Sequence, residues 1–223
     1  MNASDLTARV QERVREWQVV VTTTRETASS FIAFGTRGER AVVLKVVGAS
    51  GDEWRVGETL EALGGRGTVR VLAHVPGAVL LERLSPGTSL VSLVLENRDD
   101  EATEIIAGVI QHMSRPREPA SSPPTVQDWG GAFARYVAGG DTQVPLALVE
   151  RARHIYTDLC GSQRQPRLLH GDLQHDNVLF DSGRGWVAID PKGVVGEVEY
   201  EIGAALRNPA ERPDLFASPR TVE

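Results

Sequence analysis

The stretch Leu168-Leu-His-Gly-Asp-Leu-Gln-His-Asp-Asn-Val-Leu-Phe180 runs into Asp181-Ser-Gly-Arg-Gly185 and then Trp186-Val-Ala-Ile-Asp190. Two short apolar runs around a glycine-bearing turn form the pattern of a β-hairpin. Such a hairpin returns Asp190, at the end of its second strand, to the side of Asn177, which precedes its first. Asp172 lies in the loop leading in. Two carboxylates and one amide are therefore expected to converge on a small volume. Phosphoryl transfer calls for such a set: one carboxylate takes the proton of an attacking hydroxyl, and a second carboxylate with an amide oxygen holds Mg²⁺ against the phosphates.

Upstream of this stretch the chain is rich in β pattern. Leu6, Val10, Val14 and Trp17 recur at helical spacing, so an amphipathic helix opens the chain. Val19 to Thr23, Ser30 to Phe34 and Ala41 to Val47 read as strands, the last two joined through Gly35-Thr-Arg-Gly38. Lys45 stands inside the third run, where a charge is costly unless partnered. A helix over Asp52 to Leu63 stops at Gly64-Gly65, and Thr68 to Leu72 pairs with Ala78 to Glu82 across Pro76-Gly77. After Ser85-Pro86-Gly87 the texture turns helical. Ala102, Ile105, Ile106, Val109, Ile110 and Met113 line one helical face behind the acidic start Asp99-Asp-Glu101. Ser114 to Thr125 reads as a proline-rich surface loop, followed by helical patterns near Asp128 to Val137 and at Leu148, Ala152, Ile155 and Leu159. The fold class expected is α+β, with a β-rich part over 1–85 and a mainly helical part over 86–223.

Composition narrows the class of function. With 223 residues, 41% hydrophobic and 24% charged, the chain can bury a core and is not of disordered type. No apolar run approaches the ~20 residues that cross a bilayer. The start MNASDLTARV has neither basic nor apolar signal character, so a cytoplasmic location is expected. The lone Cys160 rules out an internal disulfide and reads as a small apolar residue. A net charge of −6 argues against nucleic acid as a partner. The expected partner is a small molecule, for which an acidic protein also suits a cation.

His170-x-Asp172-x-x-x-x-Asn177 followed by Ile189-Asp190 resembles the catalytic loop and metal motif of the aminoglycoside phosphotransferase and protein-kinase-like superfamily. Ile189-Asp-Pro-Lys-Gly193 and Leu206-Arg-Asn-Pro209 are similar to its streptomycin and hydroxyurea phosphotransferase branch. The resemblance implies a bilobal fold with ATP in the cleft and Mg²⁺ beside it. It gives Asp172 the role of catalytic base, Asn177 and Asp190 those of metal ligands, and His170 that of a brace for the catalytic loop 170–177. Lys45 would take the α/β-phosphates and pair with a helix glutamate, Glu58 as first choice and Glu53 as second. The backbone at Glu82, Arg83 and Ser85, in a hinge near 82–87, would meet adenine. Ser29 and Ser30 would stand in the phosphate-covering loop, which lacks the glycines of protein kinases. Related kinases continue past this point, so the carboxy-terminal part is expected to be shortened, with a helix starting at Thr221 after Ser218-Pro219 and apolar surface left uncovered.

Other readings of the same residues stand beside this one. His170, Asp172, His175 and Asp190 could form a metal-hydrolase site. A degenerate kinase would bind nucleotide without turnover. Lys192 could meet phosphate or substrate, or form a salt bridge. Glu197, Glu199 and Glu201 make a solvated face or an acidic wall, and Trp129 and Tyr136 read as core.

Overall fold

The computed structural model describes residues 3–113 and 122–216. It opens with α1 (Ala3–Glu16), β1 (Val20–Glu26), β2 (Ser30–Arg37) and β3 (Arg40–Val47), then α2 (Val56–Leu63), β4 (Val71–Val75) and β5 (Ala78–Glu82). The five strands form one antiparallel sheet in the order β1-β2-β3-β5-β4. β3 is central, and its alternation divides the two faces. Val42, Leu44 and Val46 join Val10 and Trp17 in a cluster beneath α1. Val43 belongs with Val56 and Leu60 of α2 and with Val79 and Leu81 on the opposite face. Lys45 shares that second face.

The chain continues through β6 (Pro86–Ser89), α3 (Val91–Leu95), α4 (Asp99–His112), α5 (Val126–Trp129), α6 (Gly131–Ala138) and α7 (Leu146–Ser162). It ends in β7 (Arg167–Leu169), β8 (Val178–Asp181), β9 (Gly185–Ala188), β10 (Val194–Gly196) and α8 (Ile202–Ala205). β6, β8 and β9 form one small sheet, and β7 pairs with β10 in another. Leu90, Val94, Ala102, Ile106 and Val109 bury against Leu173, Val178 and Ala188, so α3 and α4 support the hairpin from behind. The large sheet is tied to it by Val69 N–H donating to the Ala188 carbonyl at 2.9 Å and by Ala188 N–H donating to Gly67 at 2.8 Å.

Three elements differ from the sequence expectation. β4 starts at Val71, because Gly64, Gly65 and Gly67 all hold positive φ and spend the preceding residues in a turn, from which Thr68 bridges to Ala188. The helical stretch near Asp128 is two helices, parted at Gly130. α7 forms, but Leu148, Ile155 and Leu159 on it are exposed and only Val149 is buried. Residues 114–121 of the expected loop, and the expected helix start at Thr221 after Ser218-Pro219, lie outside the described residues. Among those residues no helix is long and apolar enough to cross a membrane.

Candidate active site

β7 delivers the chain to His170, whose side chain is fully buried. Its Nε2–H donates to the Ile189 carbonyl at 2.8 Å, and its Nδ1 accepts from Asp172 N–H at 3.3 Å. The His170 carbonyl accepts from Lys192 and Gly193 N–H at 2.9 and 3.0 Å. One residue thus joins loop 170–177 to loop 189–193 through ring and backbone together. Burial pushes the imidazole down to about 4, with the Ile189 carbonyl opposing only in part, so the ring is neutral. The unfolded chain therefore binds a proton here that the folded chain refuses. Stability present above pH ~6.5 is lost as pH falls toward 4, by about 3 kcal/mol. Denaturant titrations at pH 7 and 4.5 should show this loss, and His170→Asn should flatten it.

The hairpin closes as its pattern requires. Val178 pairs with Ala188, and Ile189 N–H donates to the Asn177 carbonyl at 2.8 Å, which sets Asp190 beside Asn177. Asn177 Nδ2 donates to the Asp172 carbonyl at 2.9 Å, so Nδ2 faces the loop and Oδ1 accepts from no described residue. Asp190 has φ 59°, a left-handed conformation that Asp tolerates better than most side chains. Its Oδ1 meets Lys45 Nζ across the junction of the two parts. Burial raises the Asp190 carboxyl, and Lys45 offsets this only in part. Asp172 Oδ2 lies 3.3 Å from Lys192 Nζ.

Lys45 is 6% exposed and pairs with Glu53 Oε2 at 2.8 Å. The preferred choice of Glu58 is thus corrected to Glu53. α2 turns Val56 and Leu60 onto the sheet, and Glu58, about 200° around the helix from Val56, lines a separate cavity of about 440 Å³ with Trp54 and Lys192. Glu53 sits on the 3₁₀ turn before α2 (Asp52–Arg55) and reaches across to β3. Burial raises its carboxyl, but the Lys45 hydrogen bond and charge, with the Ser29 hydroxyl at 3.1 Å, outweigh that and hold it below its usual value. Glu53→Gln should therefore weaken nucleotide binding by about 1.5–3 kcal/mol, the scale of a hydrogen bond to a charged group. Glu58→Gln should leave it within error, and calorimetry with ADP separates the two. Ser30 does not share Ser29's position. Its N–H and hydroxyl both engage Thr27 Oγ1, at 3.0 Å each, inside the turn.

Lys45 and Asp190 line a cavity of about 390 Å³ with Ile32, Val43, Val56, Val79, Leu81 and Ile189, and Arg25 and Asp176 also reach it. Glu82, Arg83, Leu84, Pro86 and Gly87 border it, and Ser85 does not. There the Glu82 side chain is committed to Arg184, and Arg83 N–H donates to the Ala41 carbonyl at 3.2 Å. Ser85 N–H donates to Asp181 Oδ2 at 2.9 Å, and its carbonyl accepts from Ser182 N–H at 2.8 Å. The Ser85 backbone is thus used within the protein, while Leu84 N–H meets no acceptor among the described residues.

Several residues were misjudged from sequence. Glu201 is 2% exposed and accepts from the N–H groups of His170 and, at 3.0 Å, Gly171. Burial pushes its carboxyl up to about 7 against those bonds. Glu197 instead accepts from Arg164 and Gln165 N–H groups, and Glu199 stays exposed, so the three acidic residues share no common face. Trp129 packs against the buried cluster of Val126, Leu169 and Val194 as expected, and with Phe133, Tyr156 and Tyr200 it walls a cavity of about 600 Å³ that reaches Gly171 and Lys192. Tyr136 joins no core cluster among the described residues; its hydroxyl accepts from Val144 N–H at 2.8 Å. The metal-hydrolase reading fails, because both His170 nitrogens are engaged and no three His, Cys, Asp or Glu among the described residues are grouped to hold a metal.

Known proteins resemble the chain in sequence and in fold. It is 34% identical over 187 residues to streptomycin 3''-kinase of Klebsiella pneumoniae, across 82% of this chain and 66% of that protein. It is 32% identical over 191 residues to hydroxyurea phosphotransferase of Kitasatospora aureofaciens, across 77% of this chain and 55% of that protein. The chain therefore spans less than two thirds of each relative's length. The solved structure of aminoglycoside phosphotransferase APH(4)-Ia superposes with a TM-score of 0.65 at 17% identity, over 96% of this chain and 86% of that one. Choline kinase LicA from Streptococcus pneumoniae does so at 0.59 and 15%, over 97% and 82%. These likenesses fix the fold as the bilobal one of such kinases. The sequence pattern of aminoglycoside/hydroxyurea antibiotic resistance kinases runs through residues 16–223, and the chain belongs to that family.

Proposed function

We propose that this chain transfers the γ-phosphoryl group of ATP to a hydroxyl of a small molecule. Residues 1–85 would hold the nucleotide, and residues 86–223 would carry the reacting groups. The observation that carries the reading is the Lys45–Asp190 ion pair, which joins the two parts in the wall of a mainly apolar cavity, with Asp172 held separately by Lys192. A mainly apolar slot with charge in its wall suits a planar base with a polyphosphate tail. Leu84 N–H is the free hinge donor for adenine, and Lys45 and Ser29 face the phosphates.

The residues fit Mg²⁺. The donors are oxygens, Asn177 Oδ1 accepts from no described group, and the part-buried Asp190 carboxylate has a single lysine among the described residues to offset its charge. Asn177 and Asp190 would hold the ion, which would supply positive charge to offset that of the phosphates. Asp172 takes the acceptor's hydroxyl proton. His170 and Glu201 keep loop 170–177 in place while it does so. Streptomycin-type aminoglycosides and hydroxyurea are the proposed acceptors, because relatives bear those names. A cytoplasmic location goes with this reading, because ATP is the proposed phosphoryl donor. Mg²⁺-dependent ADP release measured against an acceptor panel tests the proposal. Acceptor-stimulated release supports it, and nucleotide binding with no turnover on any acceptor counts against it.

A further inference from the structure

We infer that Lys192 is a positioning residue for phosphoryl transfer, holding one oxygen of the Asp172 carboxylate so that the other is free for the acceptor's proton. The inference rests on the phosphotransferase reading. Asp172 is the only carboxylate within ion-pair distance of Lys192 among the described residues, and Lys192 the only cation so placed on Asp172. Lys45 is occupied elsewhere, with Glu53 and Asp190. The two lysines thus divide the site, one on the nucleotide side and one on the base.

The Asp172 side chain depends on that contact. Its backbone N–H and carbonyl are bonded to His170 Nδ1, Gln174 N–H and Asn177 Nδ2, but Lys192 is the only described partner of its carboxylate. Without it the carboxylate is free to rotate between staggered rotamers. Lys192 is well placed to prevent this, because its own backbone is clamped. Lys192 and Gly193 N–H both bond the His170 carbonyl, two residues from Asp172. Gly193 at φ 75° lies so close to α2 that a Cβ there would stand 2.3 Å from Thr59 Oγ1. The Lys192 side chain is a third exposed and lines both the 440 and the 600 Å³ cavities.

In the step itself the acceptor oxygen bonds to the γ-phosphorus as its proton passes to the free Asp172 oxygen. The bond from phosphorus to the β-γ bridging oxygen breaks, and that oxygen leaves with the electron pair on ADP. Lys192 keeps its proton throughout. Its charge also offsets that of Asp172 as an anionic phosphoryl group approaches.

Lys192→Met should lower kcat by about 10–100-fold, the scale of a misplaced reacting group. KM for ATP and the Kd of Mg-ADP should stay within about two-fold, and Lys192→Arg should restore most of the rate. An unchanged kcat in Lys192→Met would overturn the inference, as would a parallel loss of nucleotide affinity and Tm. If wild type turns over no acceptor, the phosphotransferase reading fails by itself. Crystal structures then decide the positioning claim: one Asp172 rotamer in wild type and a rotated or multiply occupied one in Lys192→Met supports it, and the same rotamer in both defeats it.

Discussion

Asp172→Ala is expected to lower phosphoryl transfer by roughly 10²–10⁴-fold, the contribution of a positioned base, with nucleotide affinity kept within a few-fold. The variant is informative because the loop does not rely on the carboxylate. Asp172 N–H bonds His170 Nδ1, and its carbonyl accepts from Asn177 Nδ2 and Gln174 N–H. Alanine keeps all three. His170 remains tied to Ile189 and Glu201, so loop 170–177 should hold its path. What disappears is the proton acceptor and the partner of Lys192. Steady-state ADP release with the best acceptor, beside calorimetry with Mg-ADP, separates chemistry from binding. Turnover near that of wild type would remove Asp172 from the mechanism.

The most legible part of the chain was the hairpin. Its apolar runs, its glycine turn and the positions of Asn177 and Asp190 are all local, so strand pairing alone brings the two together. Lys45 was legible for a related reason: a lysine inside Ala41–Val47 has to find a counter-charge, and it finds two. The choice between Glu53 and Glu58 was not legible. It turns on a short 3₁₀ turn before α2, and a register change of that kind leaves no mark on apolar periodicity. Glu201 was hidden because three alternating glutamates look like a solvated surface. Only the path of the chain after β10 reveals that one of them lies under the backbone of His170 and Gly171. The exposed residues of α7 show the same limit: spacing specifies a helix but not what covers it.

Asp190→Asn should reduce Mg²⁺-dependent nucleotide binding by at least the roughly 10–100-fold that follows loss of a metal's supporting partner. Metal-free nucleotide binding should change by less than about two-fold, since Lys45 keeps Glu53 and its place on β3. Turnover should fall with the metal affinity. The stability of the metal-free protein should move differently. Burial raises the Asp190 carboxyl above its usual value, so whatever stability this group lends is full below its unfolded pKa and fades as pH rises through the folded one. At neutral pH the ionised carboxylate is thus a cost to the metal-free fold that a divalent cation relieves. Asparagine keeps the shape and removes the charge, so the variant's metal-free Tm at pH 7.5 should be no lower than wild type. The rise in Tm on adding Mg-ADP should shrink sharply, because binding energy appears as stability only while the ion is held. Melts with and without Mg-ADP measure both quantities on the same samples. An equal rise in the two proteins would show that Asp190 does not hold the ion, and a large metal-free loss would mark it as a structural partner of Lys45 instead.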